Sequence, residues 1–98
     1  MWLVLSYDIP SGNAKQYRMF RKQLLQAGFS FPQKSLCWRW VHSSGKADSI
    51  QKRICAAFTA PGRLLFWRMP DSVFDAGVCM EDLQEKKMPD TPSPWIVV

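Results

Sequence analysis

Acidic residues are scarce in the first half of this chain: Asp8 is the only carboxylate before Asp48. Histidine is scarcer still. His42 stands alone at a strand end, with no adjacent acid and no nucleophile motif, so it reads as a surface histidine and not as part of a catalytic relay. The three cysteines, Cys37, Cys55 and Cys79, are odd in number and lack C-x-x-C spacing. They read as buried thiols in a reducing compartment, against a disulfide framework or a zinc site. No apolar run approaches the roughly 18 residues of a membrane span, and Trp2–Leu5 is too short for the core of a signal peptide. The chain is expected in the cytoplasm, with no membrane partner. Ser43-Ser44-Gly45-Lys46 lacks the upstream glycine and following Ser or Thr of a phosphate loop. The acids Asp71, Asp75, Glu81, Asp82 and Glu85 show no recurring ligand spacing and read as a solvated side.

What the chain does have is clustered positive charge. Between Asn13 and Arg53 nine Lys or Arg face one acid, a net of +8, although the whole chain carries only +5. Such a field favours an anionic partner, nucleic acid first. Its 98 residues, 47% of them hydrophobic, suit a single domain with one modest core. Part of its five Trp, six Phe and five Met is available to a partner.

The organisation reads strand–helix–strand–strand–helix–strand. In the apolar strand Trp2–Ile9, Leu3, Leu5 and Tyr7 point one way and Trp2, Val4, Ser6 and Asp8 the other. Asn13 and Gln16 have capping-box spacing before a helix over 14–27, which Gly28 ends. Its Tyr17, Phe20, Leu24 and Ala27 fall within an arc of about 80°, with Lys15, Arg18 and Lys22 nearly opposite. Residues 29–42 divide into two strands near Gln33 and Lys34, with Pro32 fitting an edge. Ser43–Gly45 reads as a loop before a helix over 47–58, and Arg63–Arg68 as another strand. Val73–Met80 fits a short helix or a strand. Residues 81–87 read as a charged connection, 88–94 as a proline-stiffened spacer and 95–98 as a terminal strand. The order is that of an α+β, ferredoxin-like βαββαβ sandwich with both helices on one sheet face. Asp8, Trp2 and Val4 then lie on the open or dimeric side.

Two readings of Asp8 stand at this level. It is a turn aspartate beside a solvated basic helix, or it holds a hydrated cation next to a phosphodiester. Mg²⁺ prefers oxygen ligands and keeps several waters, so few carboxylates suffice. With no second acid until Asp48, a two-carboxylate site would form most simply from Asp8 and the partner subunit's Asp8. The terminal Trp95, Ile96 and Val97 follow a stiff spacer and suit strand addition at a sheet edge, that of a second subunit by preference.

Tyr7-Asp8-Ile9-Pro10, then Tyr17-Arg18-Met19-Phe20-Arg21-Lys22-Gln23-Leu24, then Gly28-Phe29 and Gln33-Lys34-Ser35-Leu36 together resemble the CRISPR-associated protein 2 family. The motif-bearing match covers roughly residues 2–41. The sequence departs at Leu36-Cys37, where the family has Val and Tyr or Phe, and at Trp38-Arg39-Trp40, where it has smaller residues. The resemblance implies a homodimer packed through its sheets. The dimer would bridge two dimers of the CRISPR integrase and hold double-stranded DNA during spacer acquisition. It also implies Mg²⁺-dependent endonuclease activity on RNA or DNA, with Mn²⁺ as a substitute and Asp8 as catalytic metal ligand. Nucleic-acid contacts are expected from Lys15, Arg18, Arg21, Lys22, Lys34 and Arg39, and partner contacts from Trp2, Val4, Trp95, Ile96 and Val97. Two alternatives share the fold: a ribonuclease toxin, and a non-catalytic domain related to the carboxy-terminal part of a bacterial transcriptional repressor. The latter normally follows a winged-helix domain, for which a first strand at residue 2 leaves no room.

Overall fold

Strand β1, Trp2–Asp8, is apolar on both sides, and the computed structural model, which describes residues 1–92, puts it inside the sheet. Helix α1 (Ala14–Gln26) follows, then β2 (Ser30–Gln33), β3 (Leu36–Trp40), α2 (Ser44–Ala57) and β4 (Arg63–Met69). The antiparallel sheet runs β2-β3-β1-β4. This is the ferredoxin-like arrangement read from the sequence. Pro32 lies in the edge strand β2, where a missing N–H breaks no interior ladder.

The alternation of β1 separates two clusters. Leu3, Leu5 and Tyr7 face the helices and pack with Phe20, Leu24, Ile50 and Ile54. Leu3, Leu5, Leu24 and Ile54 are wholly excluded from water, each contributing about 1.5–3 kcal/mol. Of the inner α1 arc, Phe20, Leu24 and Ala27 are buried and Tyr17 is half-buried. Met19 and Leu25 stay exposed.

The opposite face is only partly open. A short helix α3 (Asp71–Asp75) brings Phe74 onto Trp2, with ring centroids 3.9 Å apart and planes nearly parallel. Val4, Phe74 and Trp2 form a second buried cluster, flanked by Trp38, Trp40, Met69 and Met88. Trp2 and Val4 are therefore covered by their own chain, where the sequence reading left them to a partner. The cover exists because β4 ends at Pro70, which turns the chain back across the sheet before Phe74. Trp2 Nε1 also donates to the Thr91 hydroxyl at 3.1 Å, so the segment after Met88 lies against this cluster.

Three local readings change. The side chain of Asn13 makes no capping bond to the helix. Its amide nitrogen donates instead to the Pro10 carbonyl at 3.3 Å, so the side chain is turned to the preceding turn and its oxygen does not cap the helix. Helix α2 starts at Ser44, because the Ser43 hydroxyl accepts from the Lys46 N–H at 3.1 Å and caps what looked like a loop. Residues 81–87 hold a strand of their own. Strands β5 (Cys79–Glu81) and β6 (Gln84–Lys86) pair as a hairpin turning on Asp82 and Leu83, both at positive φ. The sequence has no Asn-Gly or Asp-Gly to announce such a turn. The terminal strand with Trp95, Ile96 and Val97 lies outside the described residues.

Candidate active site

Asp8 ends β1 on the face away from the helices and is exposed. After it, Ile9 and Pro10 enter a turn closed by the Asn13 N–H on the Pro10 carbonyl at 3.3 Å, with Gly12 at φ +95°. That turn delivers α1. Strand β3 meets the same end of β1 through the Tyr7 N–H, which donates to the Ser35 carbonyl at 3.1 Å. Tyr17 on α1 then ties helix to strand turn, because its hydroxyl donates to the Lys34 carbonyl at 2.7 Å and lies 3.3 Å from Ser35 Oγ. The result is a cleft of about 530 Å³ whose walls include Asp8, Ser11, Asn13, Arg18, Lys34 and Ser35.

Its chemistry is one carboxylate, two cations and neutral oxygen donors. No ion pair joins Asp8 to a cation among the described residues. These donors are hard oxygens, with no thiol or imidazole in the lining, so they suit Mg²⁺ or Mn²⁺ and not zinc. Among the described residues no group of three or more His, Cys, Asp or Glu gathers as a metal cage. One chain thus offers a single charged ligand to a cation whose remaining positions would be water, phosphate or a second carboxylate.

The other basic residues named from the sequence divide into two groups. Lys15, Arg18, Lys22 and Lys34 are exposed. The Lys34 ammonium lies 5.7 Å from the Tyr17 ring centre, within cation–π range. Arg21 and Arg39 have partners inside the fold. The Arg21 guanidinium sits 4.1 Å over the Phe31 ring. Arg39 Nη1 donates to the Ala27 carbonyl at 2.9 Å and lies against Gly28, where α1 ends. Burial, with Arg53 nearby, lowers the pKa of Arg39.

Compared with known proteins, the chain matches the family model described as CRISPR associated protein Cas2 over residues 1–76. The chain belongs to the Cas2 family. A protein of Parvibaculum lavamentivorans named CRISPR-associated endoribonuclease Cas2 is 33% identical over 97 residues, covering 96% of this chain and 94% of the relative. Bearers of the same name in Flavobacterium psychrophilum (30% identical, covering 96% and 82%) and Paracidovorax avenae (26%, covering 80% and 75%) are also similar.

The tryptophans that depart from the Cas2 motif have structural partners. Trp38 meets Trp2 and Phe74 edge-on, at 6.5 and 5.1 Å between ring centres. Trp40 Nε1 donates to an Asp71 carboxylate oxygen at 3.2 Å, fastening α3 to the sheet. Sequence reasoning missed Arg63. It is the residue directly opposite Asp8 on β4. A ferredoxin-like strand order places the fourth strand beside the first, so the first residue of that strand was the signal to follow.

Proposed function

We propose that this Cas2-family chain is a metal-assisted phosphodiesterase that binds and cleaves nucleic acid in a CRISPR system, single-stranded RNA being the substrate class. The observation that carries this reading is the exposed Asp8, without an ion pair among the described residues, in a cleft shared with Arg18 and Lys34. The name endoribonuclease on three relatives supports the substrate. Asp8 would hold Mg²⁺ or Mn²⁺, whose contribution is to make bound water a nucleophile and to offset phosphate charge. Arg18 and Lys34 would hold the phosphodiester against Asp8. A second copy of the chain supplies a second Asp8, since one carboxylate per subunit is a sparse ligand set.

A second reading rests on another observation. Lys15, Arg18 and Lys22 are all exposed on α1, on the side turned from the core. Doubled in a dimer, that stripe fits the backbone of a DNA duplex, and the dimer becomes the scaffold that bridges integrase dimers during spacer acquisition.

Asp8→Asn separates chemistry from binding. Wild type is expected to cleave labelled single-stranded RNA only with Mg²⁺ or Mn²⁺ and to stop with chelator. Asp8→Asn is expected to lose at least about 100-fold in rate while affinity, measured in chelator, stays within about twofold. Equal cleavage by both proteins assigns the activity to a contaminant. No cleavage by either leaves the scaffold reading alone.

A further inference from the structure

Asp8 has cations on both sides of it. Arg18 and Lys34 line the cleft formed with α1 and the β2–β3 turn. Arg63 stands on the other side, paired with Asp8 across the β1–β4 ladder. Directly opposed residues project from the same face with Cβ atoms about 4.5–5.5 Å apart, so Arg63 and Asp8 are neighbours by construction. The pairing is held by Gly62. It sits at φ +122°, and a Cβ there would run into the Asp8 carbonyl and come within 3.2 Å of Pro10 Cδ. Only a glycine lets the β4 chain press so closely on the end of β1. Arg63 is therefore fixed beside Asp8 by backbone geometry and does not hang from a loose loop.

Three other arginines of the fold are engaged. Arg68, also on β4, reaches Asp48 at 2.6 Å and Gln51 at 2.9 Å, while Arg21 and Arg39 have the partners described above. Arg63 is exposed and makes no ion pair among the described residues, although a carboxylate faces it. Among the described residues β4 is an edge strand, with no further strand on its outer side.

We infer that Arg63 is a second phosphate anchor, so that a nucleic-acid strand crosses the end of β1 from the Arg18–Lys34 cleft, over Asp8, to the edge of β4. This rests on the phosphodiesterase reading. Arg63 touches a phosphate next to the cleaved one and fixes the path of the strand; it neither holds the cation nor moves a proton.

The test measures binding and cleavage separately. Fluorescein-labelled single-stranded RNA is titrated in chelator at several salt concentrations, with wild type, Arg63→Gln, Arg63→Lys and, as a control, Lys87→Gln, whose side chain lines a separate cavity with Asp75 and Asp90. Arg63→Gln is expected to bind about fivefold more weakly at 0.1 M salt and to lose about 0.7 from the slope of log affinity against log salt, the value of one phosphate contact on a single strand. Arg63→Lys should keep the slope. With Mg²⁺, Arg63→Gln should raise KM and leave kcat within twofold. An unchanged affinity and slope in Arg63→Gln overturns the inference, as does an equal change in Lys87→Gln, which would mean overall charge alone. Wild type that binds RNA without cleaving it refutes the phosphodiesterase reading, yet the salt series still decides Arg63. Wild type that does not bind RNA overturns the anchor outright.

Discussion

Cys37 sits opposite Leu5 in the β1–β3 ladder and is fully buried in the helix-side core. Burial pushes its thiol from 9.0 up to about 12. Tyr7, also buried, moves in the same direction, by burial and by the Tyr17 hydroxyl beside it. Among the described residues the Tyr7 hydroxyl has no hydrogen-bond partner. A raised value for an acid means that the folded state holds the proton more tightly than the unfolded chain does. Stability from this source is complete below pH 9. It declines as pH climbs from about 9, where the unfolded thiol ionises, to about 12, where the folded one does. Two measurements check it. At pH 8.5 iodoacetamide should modify the exposed Cys55 and spare Cys37 until denaturant is added, read by peptide mass. Cys37→Ala should cost about 1–2 kcal/mol at neutral pH and show a shallower loss of melting temperature between pH 9 and 11.

Among the elements, helix α1 joins the core to the cleft: Phe20 and Leu24 anchor it, Tyr17 ties it to Lys34, and Lys15, Arg18 and Lys22 remain in water. Replacing those three by Glu should leave the far-ultraviolet spectrum unchanged. Affinity for duplex DNA of any sequence should fall at least tenfold, and the salt slope should flatten by about 0.9 per lost phosphate contact. Unchanged binding would make the stripe a solvated face. The periodicity of α1 and the alternation of β1 were legible in the sequence because one residue type decides each position there: apolar in, charged out. Pro32 marked an edge for an equally local reason. The β5–β6 hairpin was not legible, since Leu83 takes a left-handed conformation that its residue type disfavours. Nor was the start of α2, where Ser43 served as a cap but read as loop. At the site, Asp8 stood out by its isolation in a basic field. The cleft was hidden because it depends on Tyr17 reaching the Lys34 carbonyl, and Arg63 because it depends on strand order.

At the scale of the whole molecule, the two sheet faces differ. One is closed by α1 and α2. The other is closed by α3 only around Trp2 and Val4, leaving Leu65 and Trp67 on the edge strand β4 at 43% and 46% exposure. Both share the face of Val4 and Ser6, their ladder partners. Under the two-copy reading proposed above, a second copy packs on this half, which is left exposed among the described residues, and brings a second Asp8 near the first. Trp67→Glu should then shift sedimentation from dimer to monomer at micromolar concentration, with melting temperature changed little in the monomer. A variant that stays dimeric moves the contact elsewhere.

Asp8 makes no ion pair, and neither of its oxygens accepts a hydrogen bond within the described residues. The fold is therefore indifferent to it. On the phosphodiesterase reading proposed above, this carboxylate could change to asparagine or serine in lineages where cutting is not under selection, with no loss of an ion pair or side-chain hydrogen bond among the described residues. Homologues that bind without cutting would then arise by neutral substitution at a single codon, and reversion would be just as short a step.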